Sequence, residues 1–238
     1  MLVTGFPAGS FQTNCWLVAT GPGAEAVVVD PGQDALPGIA ELCARHRLRP
    51  VAALLTHGHL DHVWTVAPLA GAHGIPAYVH PADRHLLTDP LAGFAPESRD
   101  AFGWLNLQEP EEVLELADGQ VIELAGLRLT VDHTPGHTAG HVTFRLPPEA
   151  AGTGAAGGGP PRLLAGDLVF AGSIGRTDLP GGSMQAMLAS LATRFLTLPD
   201  ETVVLPGHGP QTTVGRERAT NPFLAGLDPV HQPQGGRA

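Results

Sequence analysis

The chain has 238 residues, 43% of them hydrophobic and 15% charged, a formal net charge of −10, and arginine as every one of its 13 basic residues. That length buries one large core or two small ones, and the lack of any basic run argues against nucleic acid or an anionic membrane surface as a partner. Cys15 and Cys43 have no close spacing, no signal peptide precedes the body in MLVTGFPAGSF, and no apolar run reaches a membrane span, so the expectation is a cytoplasmic protein with two reduced thiols.

In chain order, the opening reads as β-structure. FQTNCWLVAT and AEAVVVDPG are strand-like runs separated by the turn GPG. Residues 34–48 read as a helix with Asp34 as its N-cap. VAALLTH is short and nearly all apolar, as suits a strand buried on both faces, and it delivers a histidine cluster at its C-terminal end. Residues 62–73 read as a helix and IPAYVHP as another strand, followed by a mixed stretch to Pro110. GQVIELAGLRLTVDHTPGH reads as two strands around Gly126, with HVTFRL, RLLAGDLVF and TVVLPGHGP as further strands. Residues 183–198 place Met184, Met187, Leu188, Leu191 and Phe195 on one helical stripe, which is a core face. Alternating strands and helices favour one mixed α/β sandwich, residues 1–223, followed by a loose tail at 224–238. PPEAAGTGAAGGGPP, residues 147–161, is low-complexity and reads as a flexible loop. Its formal G-x-G-x-x-G lacks the strand–helix context that a dinucleotide site needs.

The chemistry concentrates in THGHLDH, residues 56–62. His57 and His59 are two apart, so an extended backbone sends both to one side, and Asp61 and His62 follow in the turn. Four metal-competent side chains in so short a turn exceed what one ion needs from it, which points to two ions sharing the turn. Further candidates sit beside glycines near strand ends: His137 in TPGHTAGH, Asp167 in LLAGDLVF and His208 in LPGHGP. Five histidines and two aspartates can complete two adjacent sites with one carboxylate bridging. His141 reads as a partner of a ligand rather than a ligand. Asp30, in VVVDPG, reads equally as a carboxylate that orients a ligand histidine or as a turn cap. His133 reads as structural, and His46, His73, His80, His85 and His231 as surface or packing residues.

H-x-H-x-D-H followed by PGHT, AGD and PGHG resembles the metallo-β-lactamase-fold hydrolases. FQTNCWLV, VVVDPG, TPGHTAGH, GDLVFAGSIGRTDLPGG and RATNPF are similar to the glyoxalase II-like branch, which includes short bacterial hydrolases and sulfur dioxygenases. The resemblance implies a four-layer αβ/βα sandwich with the metals at the edge of the two sheets. It implies that His57, His59 and His137 hold one ion, that Asp61, His62 and His208 hold the other, and that Asp167 bridges. It also implies two divalent ions, zinc first, and a hydroxide between them, flanked by Asp61 and Asp167, that attacks the carbonyl of a small 2-hydroxyacyl thioester.

Glyoxalase II carries a C-terminal helical portion that grips glutathione, and this chain ends soon after NPF. Arg176 and Asp178 stand where those enzymes have lysine and tyrosine, so glutathione is not carried over as the thiol. Those two residues either meet substrate or pair with each other. The alternative on the same fold is a persulfide dioxygenase with one iron on His57, His137 and Asp167. A non-catalytic binding or sensing protein is a third reading, and the intact ligand set speaks against it. The glyoxalase II-like segments point away from a β-lactamase.

Overall fold

Buried side chains alternate between two faces along most strands, and this alternation builds the layers. The structure, a computed structural model, describes residues 1–95, 99, 102, 105, 107–149 and 159–230. The first sheet runs in chain order: β1 (Leu2–Ala8), β2 (Thr13–Ala19), β3 (Glu25–Val29), β4 (Arg49–Leu54), β5 (Ala77–Val79) and β6 (Val113–Glu115). Its first three strands are antiparallel, and β3 to β6 are parallel. The second sheet is built from β7 (Val121–Leu124), β8 (Leu127–His133), β9 (Val142–Leu146), β10 (Arg162–Gly166), β13 (Val203–Pro206) and β14 (Thr212–Thr213). Only β10 and β13 pair in parallel there. A small hairpin, β11 (Val169–Phe170) and β12 (Ser173–Ile174), follows β10.

On β2, Trp16 and Val18 face the second sheet while Cys15, Leu17 and Ala19 face outward, and Val27 and Val28 divide the same way on β3. The inter-sheet core joins these residues to Leu129, Val131, Phe144, Leu164 and Leu205. The outer face of the first sheet is covered by α1 (Ala35–His46) and α3 (Val66–His73) through Ile39, Leu42, Val66 and Leu69. A short α2 (Leu60–Val63) lies just before α3. The outer face of the second sheet is covered by α4 (Met184–Ser190) and α5 (Val214–Thr220) through Met187 and Val214. The result is the expected four-layer αβ/βα sandwich.

Several local expectations change. Asp34 holds the N-cap position of α1 but has φ +55° and makes no side-chain cap bond; the helix is entered by a backbone turn in which the Ala35 N–H donates to Gly32 O. The helix expected over residues 62–73 is broken at Thr65. Its N–H and hydroxyl are both spent on Pro31 and Gly32 carbonyls, which pulls the chain off the helical path. The stripe at 183–198 begins at a genuine cap, Ser183, and passes into a π-helical turn at Leu191–Phe195. Met187, Leu191 and Phe195 are buried, but Met184 is exposed. Packing also continues beyond Phe223. Leu224 and Leu227 join the outer core, and the Val230 N–H donates to Ala192 O. Residues 150–158 of the Gly/Ala/Pro stretch and 231–238 of the tail lie outside the described residues. No helix of the described residues is long and apolar enough to cross a membrane.

Candidate metal centre

Four strands, β4 of the first sheet and β8, β10 and β13 of the second, end at one edge of the sandwich, and the loops leaving them carry the candidate ligands. β4 leads into His57 and His59, with Asp61 and His62 on α2. β8, β10 and β13 lead into His137, Asp167 and His208. The ligand atoms of His57, His59 and His137 form one group, and those of Asp61, His62 and His208 another, each with all atoms within 4.8 Å of one another. His59 Nδ1 lies 2.8 Å from His137 Nε2. Asp61 Oδ2 is 3.2 Å from His208 Nε2 and 3.4 Å from His62 Nε2.

Asp167 stands between the groups. Its Oδ1 is 3.4 Å from His62 Nε2, and its Oδ2 is 3.5 Å from His137 Nε2 and 3.7 Å from His208 Nε2. All seven residues singled out as ligands therefore meet in one place. The fold is needed for this, since His57 and His208 are 151 positions apart.

The donor set fits divalent cations. His57 Nε2, His62 Nε2 and Asp167 Oδ1 are buried without a hydrogen-bond partner. Leaving such atoms unpaired costs about 1–3 kcal/mol each, and an ion would satisfy them together. Nitrogen and carboxylate oxygen donors suit zinc or iron. Electrostatics points the same way. Burial, followed by the neighbouring imidazoles, holds His57 well below the usual histidine range, and the same causes push His59 down to about 3. Both are thus neutral and able to bind a metal. Burial alone would lower His62 too, but Asp61, Asp167 and Asp30 outweigh it and hold its proton well above that range. Asp61 and Asp167 stay ionised against burial, chiefly because of His62. A cation held by Asp61, His62 and His208 would take the place of the His62 proton, since a ligand histidine binds in its neutral form.

The surrounding residues fix ring orientations. Asp30, in the left-handed region at φ +51°, accepts from Thr56 N–H (2.8 Å), from the Thr56 hydroxyl (2.7 Å) and from His62 Nδ1 (3.0 Å). The Thr56 hydroxyl in turn lies 3.0 Å from His57 Nδ1. One carboxylate thus orients histidines of both groups. His141 is not in either group. Its Nε2 accepts from Asp167 N–H at 3.1 Å, and its Nδ1 meets the Thr134 hydroxyl, so it positions Asp167. His137 Nδ1 lies 2.7 Å from the carbonyl of Arg176.

The Arg176 guanidinium pairs with Asp178 at 2.8 and 2.7 Å, and both side chains are exposed. Arg176 also lines the cleft over the centre; Asp178 does not. That cleft has a volume of about 260 Å³ and an apolar wall of Phe11, Leu60, Phe94 and Leu179. A larger cavity of about 570 Å³ against α3 contains none of the candidate ligands, and the chemistry belongs to the smaller one.

Three contributors were missed in the sequence. Thr13 donates to Asp61 Oδ2 at 2.8 Å, Asn14 donates to the carbonyls of Pro206 and Gly209, and Thr56 relays Asp30 to His57. Thr13 and Asn14 lie inside FQTNCWLV, but nothing local marks polar residues on a strand as partners of a loop 195 positions away.

The sequence profile of the Metallo-beta-lactamase superfamily matches residues 8–149. An uncharacterised protein of Mycobacterium tuberculosis is 47% identical over 228 residues, covering 95% of this chain and 99% of that one. Hydroxyacylglutathione hydrolase GloC of Haemophilus influenzae is 33% identical over 223 residues, covering 92% and 95%. Among solved structures, BLEG-1 B3 metallo-beta-lactamase aligns with a TM-score of 0.79 at 35% identity, covering 94% of this chain and all of that one. TTHA1623 in a di-iron-bound form aligns with a TM-score of 0.73 at 41% identity and the same coverage.

Proposed function

The chain belongs to the metallo-β-lactamase superfamily, and from that premise we propose that it is a glyoxalase II-like hydrolase of small 2-hydroxyacyl thioesters that works with two divalent ions, zinc in the first place. The observation that carries this reading is the second ligand group. Asp61, His62 and His208 converge beside His57, His59 and His137, and Asp167 reaches both. A one-iron dioxygenase on His57, His137 and Asp167 would leave that second group without a task. Similarity to GloC, whose name is hydroxyacylglutathione hydrolase, supports the thioester class.

Bound ions would supply a water acidified toward a pKa of about 7 and a polarised carbonyl. The chain's own residues do the rest. His57, His59 and His137, with Asp61, His62 and His208, hold the two positions, and Asp167 joins them. Asp61 and Asp167, both ionised, would flank a water activated there and would be the acceptors for its proton. Phe11, Phe94 and Leu179 give the cleft an apolar wall that would shield a bound acyl group from bulk water. Arg176 lines the same cleft with its charge shared with Asp178, where it would meet a substrate carboxylate. A small molecule is the expected partner, with neither nucleic acid nor membrane.

The test is metal content after purification without added metal and without oxygen, followed by thiol release from a lactoyl thioester. About two zinc ions per chain and thiol release are expected. One iron per chain, with oxygen uptake on a persulfide and no thiol release, would overturn the reading in favour of the dioxygenase. Similarity to TTHA1623 in a di-iron-bound form makes iron the alternative metal for a two-ion site. A β-lactam substrate belongs in the same assay, given the similarity to BLEG-1.

A further inference from the structure

Asp83 is a fully buried carboxylate with no cationic partner among the described residues. It lies between β5 and a 3₁₀ turn at Arg84–Leu87, outside every motif that carries a ligand. Its Oδ2 accepts from Gly58 N–H at 2.9 Å and from the Thr138 hydroxyl at 2.6 Å, and its Oδ1 accepts from Gly140 N–H at 2.7 Å. Gly58 separates His57 from His59. Thr138 and Gly140 follow His137 in the loop that ends at His141. A single carboxylate therefore bonds the backbone of both loops that supply the first ligand group.

The approach is close enough to demand glycine at both ends. A Cβ on Gly140 would sit 2.6 Å from the Asp83 carboxyl group, and one on Gly58 would sit 2.9 Å from Asp83 O and 2.8 Å from Leu86. Hydrogen bonds to a buried carboxylate are the strong kind, and they add to two other links between these loops, Val142 N–H to Thr56 O at 2.7 Å and His59 Nδ1 to His137 Nε2 at 2.8 Å.

We propose that Asp83 is the positioning residue that helps to set the distance between the His57/His59 turn and the His137 loop, and so acts more on the first metal position than on the second. The second group has its own supports. Thr13 bonds Asp61, Asp30 bonds His62, and Asn14 bonds the turn that carries His208. None of these passes through Asp83. The inference rests on the metal-site reading above, and on His57, His59 and His137 as one ligand group.

The test titrates full-length metal-free protein with Co²⁺ against a chromophoric chelator, for wild type and Asp83→Asn. An amide of the same shape keeps one acceptor oxygen and sets an N–H₂ against one of the donors. Removing such a supporting contact weakens metal binding by about 10–100-fold. The expected result is that loss at one site, with the other site within about threefold of wild type and a changed visible spectrum for the weakened ion. In a His208→Ala background only the first group remains intact, and Asp83→Asn must weaken the one ion bound there.

Unchanged affinity at both sites overturns the proposal. So does an equal loss at both sites with a matching fall in melting temperature, because that is a general structural role. Thr138→Val removes one of the three bonds and spares the charge. If Asp83→Asn does not fold, a several-fold loss confined to the first site in Thr138→Val supports the proposal, and no change overturns it. Wild type binding a single ion would refute the two-ion reading, yet Asp83 would still be judged by whether Asp83→Asn weakens that ion.

Discussion

Replacing Asp30 by asparagine isolates the orientation of the ligand histidines from the ligands themselves. Asparagine tolerates the left-handed backbone that Asp30 adopts at φ +51°, so the chain path is not the variable. The carboxylate accepts three hydrogen bonds in a fully buried position: Thr56 N–H on one oxygen, the Thr56 hydroxyl and His62 Nδ1 on the other. Whichever way the amide is turned, its N–H₂ meets at least one donor. If it faces Thr56 N–H, one buried donor loses its acceptor, at about 1–3 kcal/mol. If it faces His62, a bond to a charged group worth about 1.5–3 kcal/mol is lost as well. The lower of the two costs sets the expectation, a loss of about 1–3 kcal/mol in the metal-free protein. Urea unfolding in the presence of chelator reads it directly. Because Asp30 serves histidines of both groups, metal affinity should also fall at both positions, by about 10–100-fold. Stability within about 0.5 kcal/mol of wild type, together with unchanged metal binding, would refute the orientation argument.

Other consequences follow from the same geometry. His208→Ala removes one ligand of the second group from a partly exposed loop end, so the melting temperature of the metal-free protein should change little. Thioester hydrolysis by a two-ion site should drop by at least about 100-fold, read as kcat/KM. Gly166→Ala places a methyl 2.5 Å from the Thr56 hydroxyl at φ +47°. The left-handed backbone adds about 1–2 kcal/mol and the overpacking about 1–3 kcal/mol, so a loss of about 2–5 kcal/mol should appear in urea unfolding.

The pH dependence of the metal-free protein also has a sign. His57, His59 and His141 are held neutral by burial and by one another, so the unfolded chain binds protons there that the folded chain refuses. Their contribution is complete above the unfolded value of about 6.5 and is lost as pH falls toward the value of about 3 reached by His59. His62 and His208 are shifted upward, so they oppose this slope near pH 6.5, where the unfolded chain is half protonated, and leave it unchanged below about pH 5.5, where both states are protonated. Asp61 and Asp167, held ionised in the folded chain, add to the fall toward about pH 4. Unfolding free energy measured with chelator present should therefore fall from about pH 5.5 to pH 4, and a flat profile would count against the shifts.

The cluster of candidate metal ligands was far more legible in the sequence than its supports. H-x-H-x-D-H is a local pattern, and the strand ends at His137, Asp167 and His208 each carry a neighbouring glycine that marks a tight turn. The two sheets could likewise be read from apolar runs of strand length. What failed locally did so because a distant group won the competition. Thr65 ends a helix for the sake of carbonyls on the loop after β3, and Asp34 caps nothing because a backbone turn has already supplied the entry. Thr13, Asn14 and Asp83 act across separations of 48, 195 and 57 positions. No single-sequence pattern records such contacts. Arg176 divided its roles in a way composition gives no hint of, with its carbonyl on a ligand histidine and its guanidinium on Asp178.

Each ligand group takes members from both sheets: His57 and His59 with His137 in one, Asp61 and His62 with His208 in the other. During synthesis the four residues of the first turn emerge together, whereas the group containing His208 stays incomplete until the chain has grown 146 positions beyond His62. A nascent chain would hold a metal only loosely in that early turn, and tight capture would wait until the two halves of the sandwich have closed on each other. Once captured, each ion would act as a rivet through the sandwich, so that prying the sheets apart and releasing the metal become a single event.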